Sequence, residues 1–234
     1  MDHLVSALLP PLLGPWDYGA LALTFLGWWL VGLRIEHPGL RRPSVTVLMM
    51  KYRRDWMERM VERDPRIFDA QALSSLRQST SFFASTSVIA IGGALAVSGN
   101  VERLQGVAEG LGETGIPVIV WQVKLLPIII FLMIAFLKFV WSNRLFGYSM
   151  VVMAAVPNDP RDPLALPRAA QSAELNIRAA VNFNRGLRAI YFALAALAWL
   201  AGPLALGAAA TIAIWIVWSR EFMSRPRDIL MGRL

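Results

Sequence analysis

Long apolar runs separated by arginine-rich stretches set the pattern of the chain. Residues 17–33 (DYGALALTFLGWWLVGL) form the first run, with Trp28 and Trp29 near one end and Arg34 closing it, as in a helix that ends at a lipid–water boundary. Residues 44–64 differ: apolar groups recur at Val45, Met49, Tyr52, Trp56 and Met60, while Lys51, Arg54, Glu58 and Glu62 take the other faces. That spacing predicts an amphipathic helix too charged to cross a bilayer, lying against headgroups or packed on a bundle, and Pro65 ends it. The next helix is expected from about Asp69, enters apolar surroundings near Thr80 and forms a second span over residues 80–98. Its first half is rich in hydroxyls, at Ser79, Thr80, Ser81, Ser85, Thr86 and Ser87, and its second half in small residues, at Gly92, Gly93 and Ala96. Both serve helix packing; the hydroxyls would equally line a hydrated path for an ion or small polar solute.

Residues 99–115 form a glycine-rich link with Glu102, Glu109 and Glu113 against Arg103. A third span follows over residues 116–141, where Lys124 and Lys138 bracket an apolar run from Leu125 to Leu137. Fourteen residues of helix extend about 21 Å, so two snorkelling ammoniums can reach opposite faces of a core about 30 Å thick. A Lys124 that stays inside would cost roughly 2.5–3.5 kcal/mol without a carbonyl, a carboxylate or a wet cavity. Pro127 nearby withholds a donor from the preceding turn. Residues 142–187 read as a polar connection with a proline-rich break and a helix carrying Arg178, Asn182, Asn184 and Arg185. Residues 187–218 are apolar apart from Arg188 at the start and too long for one crossing, and Gly202–Pro203 near the middle predicts a hairpin of two short spans, 188–201 and 203–219.

Charge changes this picture from a list of spans to a topology. With five spans, residues 34–79, 142–188 and 219–234 share one side and hold ten, six and four basic residues, twenty of the twenty-three in the chain. The positive-inside rule then puts the amino terminus outside and the carboxyl terminus in the cytoplasm of an inner (plasma) membrane protein. Four spans would leave Arg220, Arg225, Arg227 and Arg233 outside. Composition agrees: 56% of residues are hydrophobic, 17% are charged, and the mean hydropathy is +0.50. The net charge of +7 is spread between apolar runs, so an anionic leaflet rather than nucleic acid is the expected counter-charge. The amino terminus lacks a positive n-region, and no cleaved signal peptide is expected. The fold class is therefore all-α, a single transmembrane domain built as a polytopic helix bundle with cytoplasmic amphipathic helices.

Candidate chemistry is sparse. There is no cysteine, and His3 and His37 are the only imidazoles, so no metal site, haem ligation or other cofactor is expected. Gly110-Leu111-Gly112-Glu113-Thr114-Gly115 spells a dinucleotide fingerprint, yet it neither follows a strand nor opens a soluble helix. Gly147-Tyr148-Ser149 resembles part of an intramembrane serine protease motif, but Met150 replaces its glycine and no histidine stands in a span to act as base. No carboxylate lies well inside a span, which removes the usual proton relay. No catalytic residue is expected, and the candidate polar positions within the membrane are Lys124, Ser81, Ser85 and Thr86.

Three stretches carry a family resemblance: Arg66 to Val97 (RIFDAQALSSLRQSTSFFASTSVIAIGGALAV), Lys138 to Tyr148 (KFVWSNRLFGY) and Val181 to Pro203 (VNFNRGLRAIYFALAALAWLAGP). Together they resemble the domain of unknown function 599 family of bacterial and plant membrane proteins, over roughly residues 18–218. The resemblance implies a multi-span membrane protein with a lysine at the position of Lys124, and it implies no activity. The expected role is a non-catalytic interaction or accessory subunit, in contact with the bilayer and with further copies or a larger membrane complex. The alternative is a small oligomeric transporter or channel with Lys124 and the hydroxyls beside its path.

Overall fold

The computed structural model describes residues 13–39, 42–100, 106 and 117–233, and the link carrying Glu102, Arg103, Glu109 and the glycine motif at 110–115 lies outside them. Among the described residues the regular structure is helical throughout. The helices are α1 (Pro15–Glu36), α2 (Val45–Met60), α3 (Ile67–Gly99), α4 (Val118–Ala154), α5 (Ala165–Leu197), α6 (Pro203–Phe222) and α7 (Arg225–Leu230), with a 3-10 turn at Ala198–Ala201. Local chemistry sets their ends. Pro15 presets the first turn of α1, where the Gly14 N–H donates to Asp17 Oδ2 at 2.9 Å. Ser44 caps α2 by accepting from the Val47 N–H at 3.2 Å, and its hydroxyl donates to the Ile35 carbonyl at 2.7 Å, which joins α2 to the end of α1. Gly202, at φ 108°, takes a backbone conformation that side chains resist, and Pro203 follows as the first residue of α6.

Cross-helix contacts fix the directions. Gln122 Nε2 reaches the Ser98 carbonyl and Asn143 reaches Ser81, so α3 and α4 run antiparallel. The Ser142 hydroxyl donates to the Ala179 carbonyl and Ser149 pairs with Ser172, so α4 and α5 are antiparallel as well. Trp199 Nε1 donates to Asp17 Oδ1 at 2.7 Å, which puts the end of α5 beside the start of α1. Arg34 lies over the Phe222 ring at the other end, and α1 and α6 run parallel. The bundle thus has one end with Asp17, Trp199 and Gly202, and a second, basic end with Glu36, α2, α7, the start of α3 and the α4–α5 connection.

Two large hydrophobic cores are stacked along the bundle, with a small third cluster of Ala20, Trp199 and Leu206 at the Gly202 end. The first joins Val31, Ile35, Leu125, Phe131, Phe139, Phe192 and Val217, with Phe25 and Trp28 packed on Phe131. The second, at the basic end, joins Met57, Met60, Leu73, Phe146, Met153 and the alanine stripe Ala165, Ala169 and Ala173. Arg66 closes this tier by donating to the carbonyls of Val156 and Pro157, both at 2.7 Å.

Four stretches are long and apolar enough to cross a membrane, Pro15–Glu36, Ile67–Gly99, Ile119–Ala154 and Pro203–Leu230, and the chain is a membrane protein. Large apolar side chains such as Ile89, Leu204 and Trp215 face outward from them. The expected span 188–201 is not among these stretches. It is the upper half of α5 and the 3-10 turn, and it begins at Arg188, which shortens the apolar window. The expected polar connection 142–187 also differs from the structure. α4 continues through Trp141 to Ala154, about 55 Å of helix, because Ser142 and Ser149 are satisfied by carbonyls of α5 and let the pair continue packing beyond the apolar zone. The amphipathic helix expected at 44–64 forms but stops at Met60.

At Gly186 α5 packs directly on the Phe139 ring of α4. A Cβ there would lie 2.6 Å from Phe139 Cε1 and 2.8 Å from Cζ, and that ring is locked by Phe83 and Phe183. At Gly27 the equivalent obstacle is the tip of Ile214, a flexible side chain. Gly186→Ala is therefore expected to destabilise the purified protein by about 1–3 kcal/mol, and Gly27→Ala by much less, as overpacking against a fixed ring costs more than displacing a methyl. Thermal denaturation in detergent of the two variants side by side checks the difference.

Candidate functional site

A polar belt surrounds α5 at the basic end of the first core. On one side Glu36, from the end of α1, accepts from Arg185 Nε at 2.9 Å and Nη2, and from Arg188 Nη2. The Arg188 side chain is 8% exposed and the Glu36 side chain 13%, so this pair is held largely away from water, whereas Arg185 is 39% exposed. Gly32 lies beside it, where a Cβ would rest in ordinary contact with the Arg188 guanidinium at 3.7 Å. Lys138, on α4, faces the same cleft, a space of about 240 Å³ walled by Trp28, Trp29, Leu33 and Ile134.

On the other side of α5, Thr46 N–H and Oγ1 both donate to the Glu221 carboxylate at 2.9 Å, and Asn184 Nδ2 donates to Thr46 Oγ1 at 3.2 Å. These groups border a cavity of about 430 Å³ between α2, α3, α4, α5 and α6, with Phe83, Phe146 and Phe183 forming its apolar wall. Arg53 completes the lining and donates to Asn176 Oδ1. Burial lowers the Arg53 guanidinium from its ordinary pKa, though an arginine keeps its proton at any physiological pH. The cavity therefore presents one cation and one bonded carboxylate around an apolar interior, which is binding chemistry. Among the described residues no three His, Asp or Glu side chains come together.

The candidate positions named from sequence fall in two places. Lys124 lies near the end of the bundle opposite the belt, 4% exposed, with Nζ 4.6 Å from the Trp121 ring centroid. It faces the bundle rather than snorkelling along a lipid-facing side. Ser81, Ser85 and Thr86 sit on α3 at or near the level of Asn143, nineteen residues further along α4, about 28 Å away for Ser81. All three are exposed; Ser81 accepts from Asn143 Nδ2, and the Thr86 hydroxyl donates to the Phe82 carbonyl at 2.9 Å. The inward hydroxyls of α3 are instead Thr80 and Ser87, each bonded to a carbonyl of its own helix. Ser149 is buried and paired with Ser172, stitching α4 to α5. The structure does not bring Lys124 and the exposed hydroxyls together. Sequence reading placed Arg185 on a polar helix without a role and passed over Glu36, Arg188, Arg53 and Glu221; the one available signal was Arg188 at the start of an apolar run, which demands a counter-charge.

Removing that counter-charge leaves Arg188 shielded and unpaired. Glu36→Gln is expected to destabilise by about 3 kcal/mol, and the double variant Glu36→Gln/Arg188→Met to regain most of the loss, because deleting both members removes the stranded charge. Denaturation of the single and double variants under identical detergent conditions gives the comparison.

Comparison with known proteins adds one finding. The family model described as "Protein of unknown function, DUF599" matches residues 19–226, which spans both cores and the whole polar belt. No curated protein and no solved structure matches the chain. The match covers nearly the whole sequence, and the chain belongs to the DUF599 family.

Proposed function

We propose that this membrane protein is a non-catalytic interaction or accessory subunit of the inner membrane, and that it docks on another membrane helix through the outer face of α3. The observation that carries this reading is the one-sided packing of α3. Leu73, Thr80, Phe83, Ser87 and Ile91 turn toward the bundle, while Ser85, Gly92, Ala96 and Gly99 recur on the opposite, exposed face. A Cβ at Gly92 or Gly93 would meet nothing within 4 Å, so a second helix could approach the α3 backbone closely. Within lipid, such small-residue faces are where helices associate, since van der Waals packing rather than hydrophobicity provides the attraction.

A non-catalytic role is supported by what the buried hydroxyls do. Ser142, Ser149 and Ser172 bond across α4 and α5, leaving them as packing groups rather than nucleophiles. The orientation, amino terminus outside and carboxyl terminus in the cytoplasm, is supported by the concentration of arginine at the end carrying α2, α7 and the α4–α5 connection. In this reading α5 and α6 form the last two of five crossings, hinged at Gly202. A transport role finds less support, because Lys124 and the hydroxyls of α3 stand at different depths.

The natural absence of cysteine makes the docking face directly testable. With Gly92→Cys, or a photo-crosslinking residue at position 92, cross-linking in native membranes is expected to yield a discrete adduct with a second copy or with one reproducible membrane polypeptide. The same probe at Leu204, an outward position on α6, is expected to yield little. Equal, diffuse labelling at both positions would remove the basis for docking through α3.

A further inference from the structure

We infer that the cleft between α1, α4 and α5 at the basic end is a binding site for the phosphate of an anionic phospholipid from the adjacent leaflet. Three cations, Lys138, Arg185 and Arg188, face this cleft, with Glu36 as the carboxylate among its lining residues. Glu36 is already engaged by both arginines. Glu221 lies close enough to influence Arg188 but is held by Thr46 on the far side of α5; counting it still leaves the neighbourhood net positive. Lys138 makes no hydrogen bond or ion pair with the described residues, and Arg185, which uses Nε and Nη2 on Glu36, keeps Nη1 uncommitted among them. The Lys138 ammonium and the remaining Nη1 edge of Arg185 thus converge on a space of about 240 Å³ whose one lining carboxylate, Glu36, is already shared by two arginines.

The walls favour a lipid over a soluble anion. Trp29 and Leu33, 54% and 41% exposed, continue the cleft into the apolar surface of α1, and Trp28 packs edge-on against Phe131 to close it toward the centre of the bundle. Tryptophans beside clustered basic groups at a helix end give one surface for acyl chain and glycerol and another for phosphate. The depth agrees as well: from Asp17 to Glu36 α1 covers about 28 Å, close to one hydrocarbon thickness, so the cleft opens at headgroup level. This inference does not depend on the docking face of α3.

The test uses delipidated full-length protein in detergent, titrated with phosphatidylglycerol, with phosphatidylcholine and with inorganic phosphate. Bound lipid is read by native mass spectrometry and thermal stabilisation by denaturation. Phosphatidylglycerol is expected to bind and stabilise well above phosphatidylcholine, with roughly fivefold weaker binding in Lys138→Gln, the share of one basic residue at a membrane surface. Lys138→Arg is expected to restore it. Since Lys138 supports no ion pair of the fold, Lys138→Gln should match the parent in thermal stability without lipid. Equal binding of the two lipids, undiminished phosphatidylglycerol binding in Lys138→Gln, or stabilisation by inorganic phosphate alone would each overturn the assignment.

Discussion

A guanidinium withdrawn from water needs a negative charge beside it, and in this bundle Glu36 meets that need for Arg188. The two residues lie 152 positions apart, so their pairing ties the first helix to the fifth. Once α1 and α5 are held at this level, Phe25 and Trp28 meet Phe131, and α6 lies along α1 with Arg34 over Phe222. Arg185 shares the same carboxylate and helps fix the rotation of α5, which leaves Asn184, one residue earlier, on the next face, toward Thr46. One carboxylate thereby orders both halves of the polar belt.

The belt also separates two kinds of packing. Above it the core is aromatic and aliphatic, built from Phe131, Phe139 and Phe192. Below it methionines and alanines from α2, α3, α4 and α5 make a second tier, closed by arginine contacts to backbone carbonyls such as those of Arg66. Because α4 and α5 pass through both tiers without interruption, the two are parts of one body rather than a membrane domain with a tethered appendage.

The membrane class, the amphipathic helix and the break at Gly202–Pro203 were legible because each rests on a local pattern: an apolar run, a helical stripe, and a glycine followed by proline. The extension of α4 was not legible, since Ser142 and Ser149 look solvent-directed until α5 provides the carbonyls they meet, and Asn143 until α3 provides Ser81. Nor was the placement of Lys124. Its distance from Lys138 along the helix says how far a side chain can reach but not which face it occupies, and rotation is settled only by the helices packed around α4. The belt itself was hidden for a further reason: Glu36 and Arg188, or Thr46 and Glu221, are brought together only by tertiary folding. What the sequence did offer, an arginine opening an apolar run, showed that a partner was required without showing where it lay.

The turn at Gly202 bears on how the molecule is made. With Arg188 at its waist and no long apolar window, α5 has little reason to partition into lipid alone, while α6 beyond the glycine has ample. In the five-crossing reading proposed above, the second arm of a hairpin would carry the first, and the arginine would find its carboxylate on a helix synthesised some 150 residues earlier. In that reading α1 is made long before the helix that carries its arginine partner, and the bundle stays incomplete until α5 arrives.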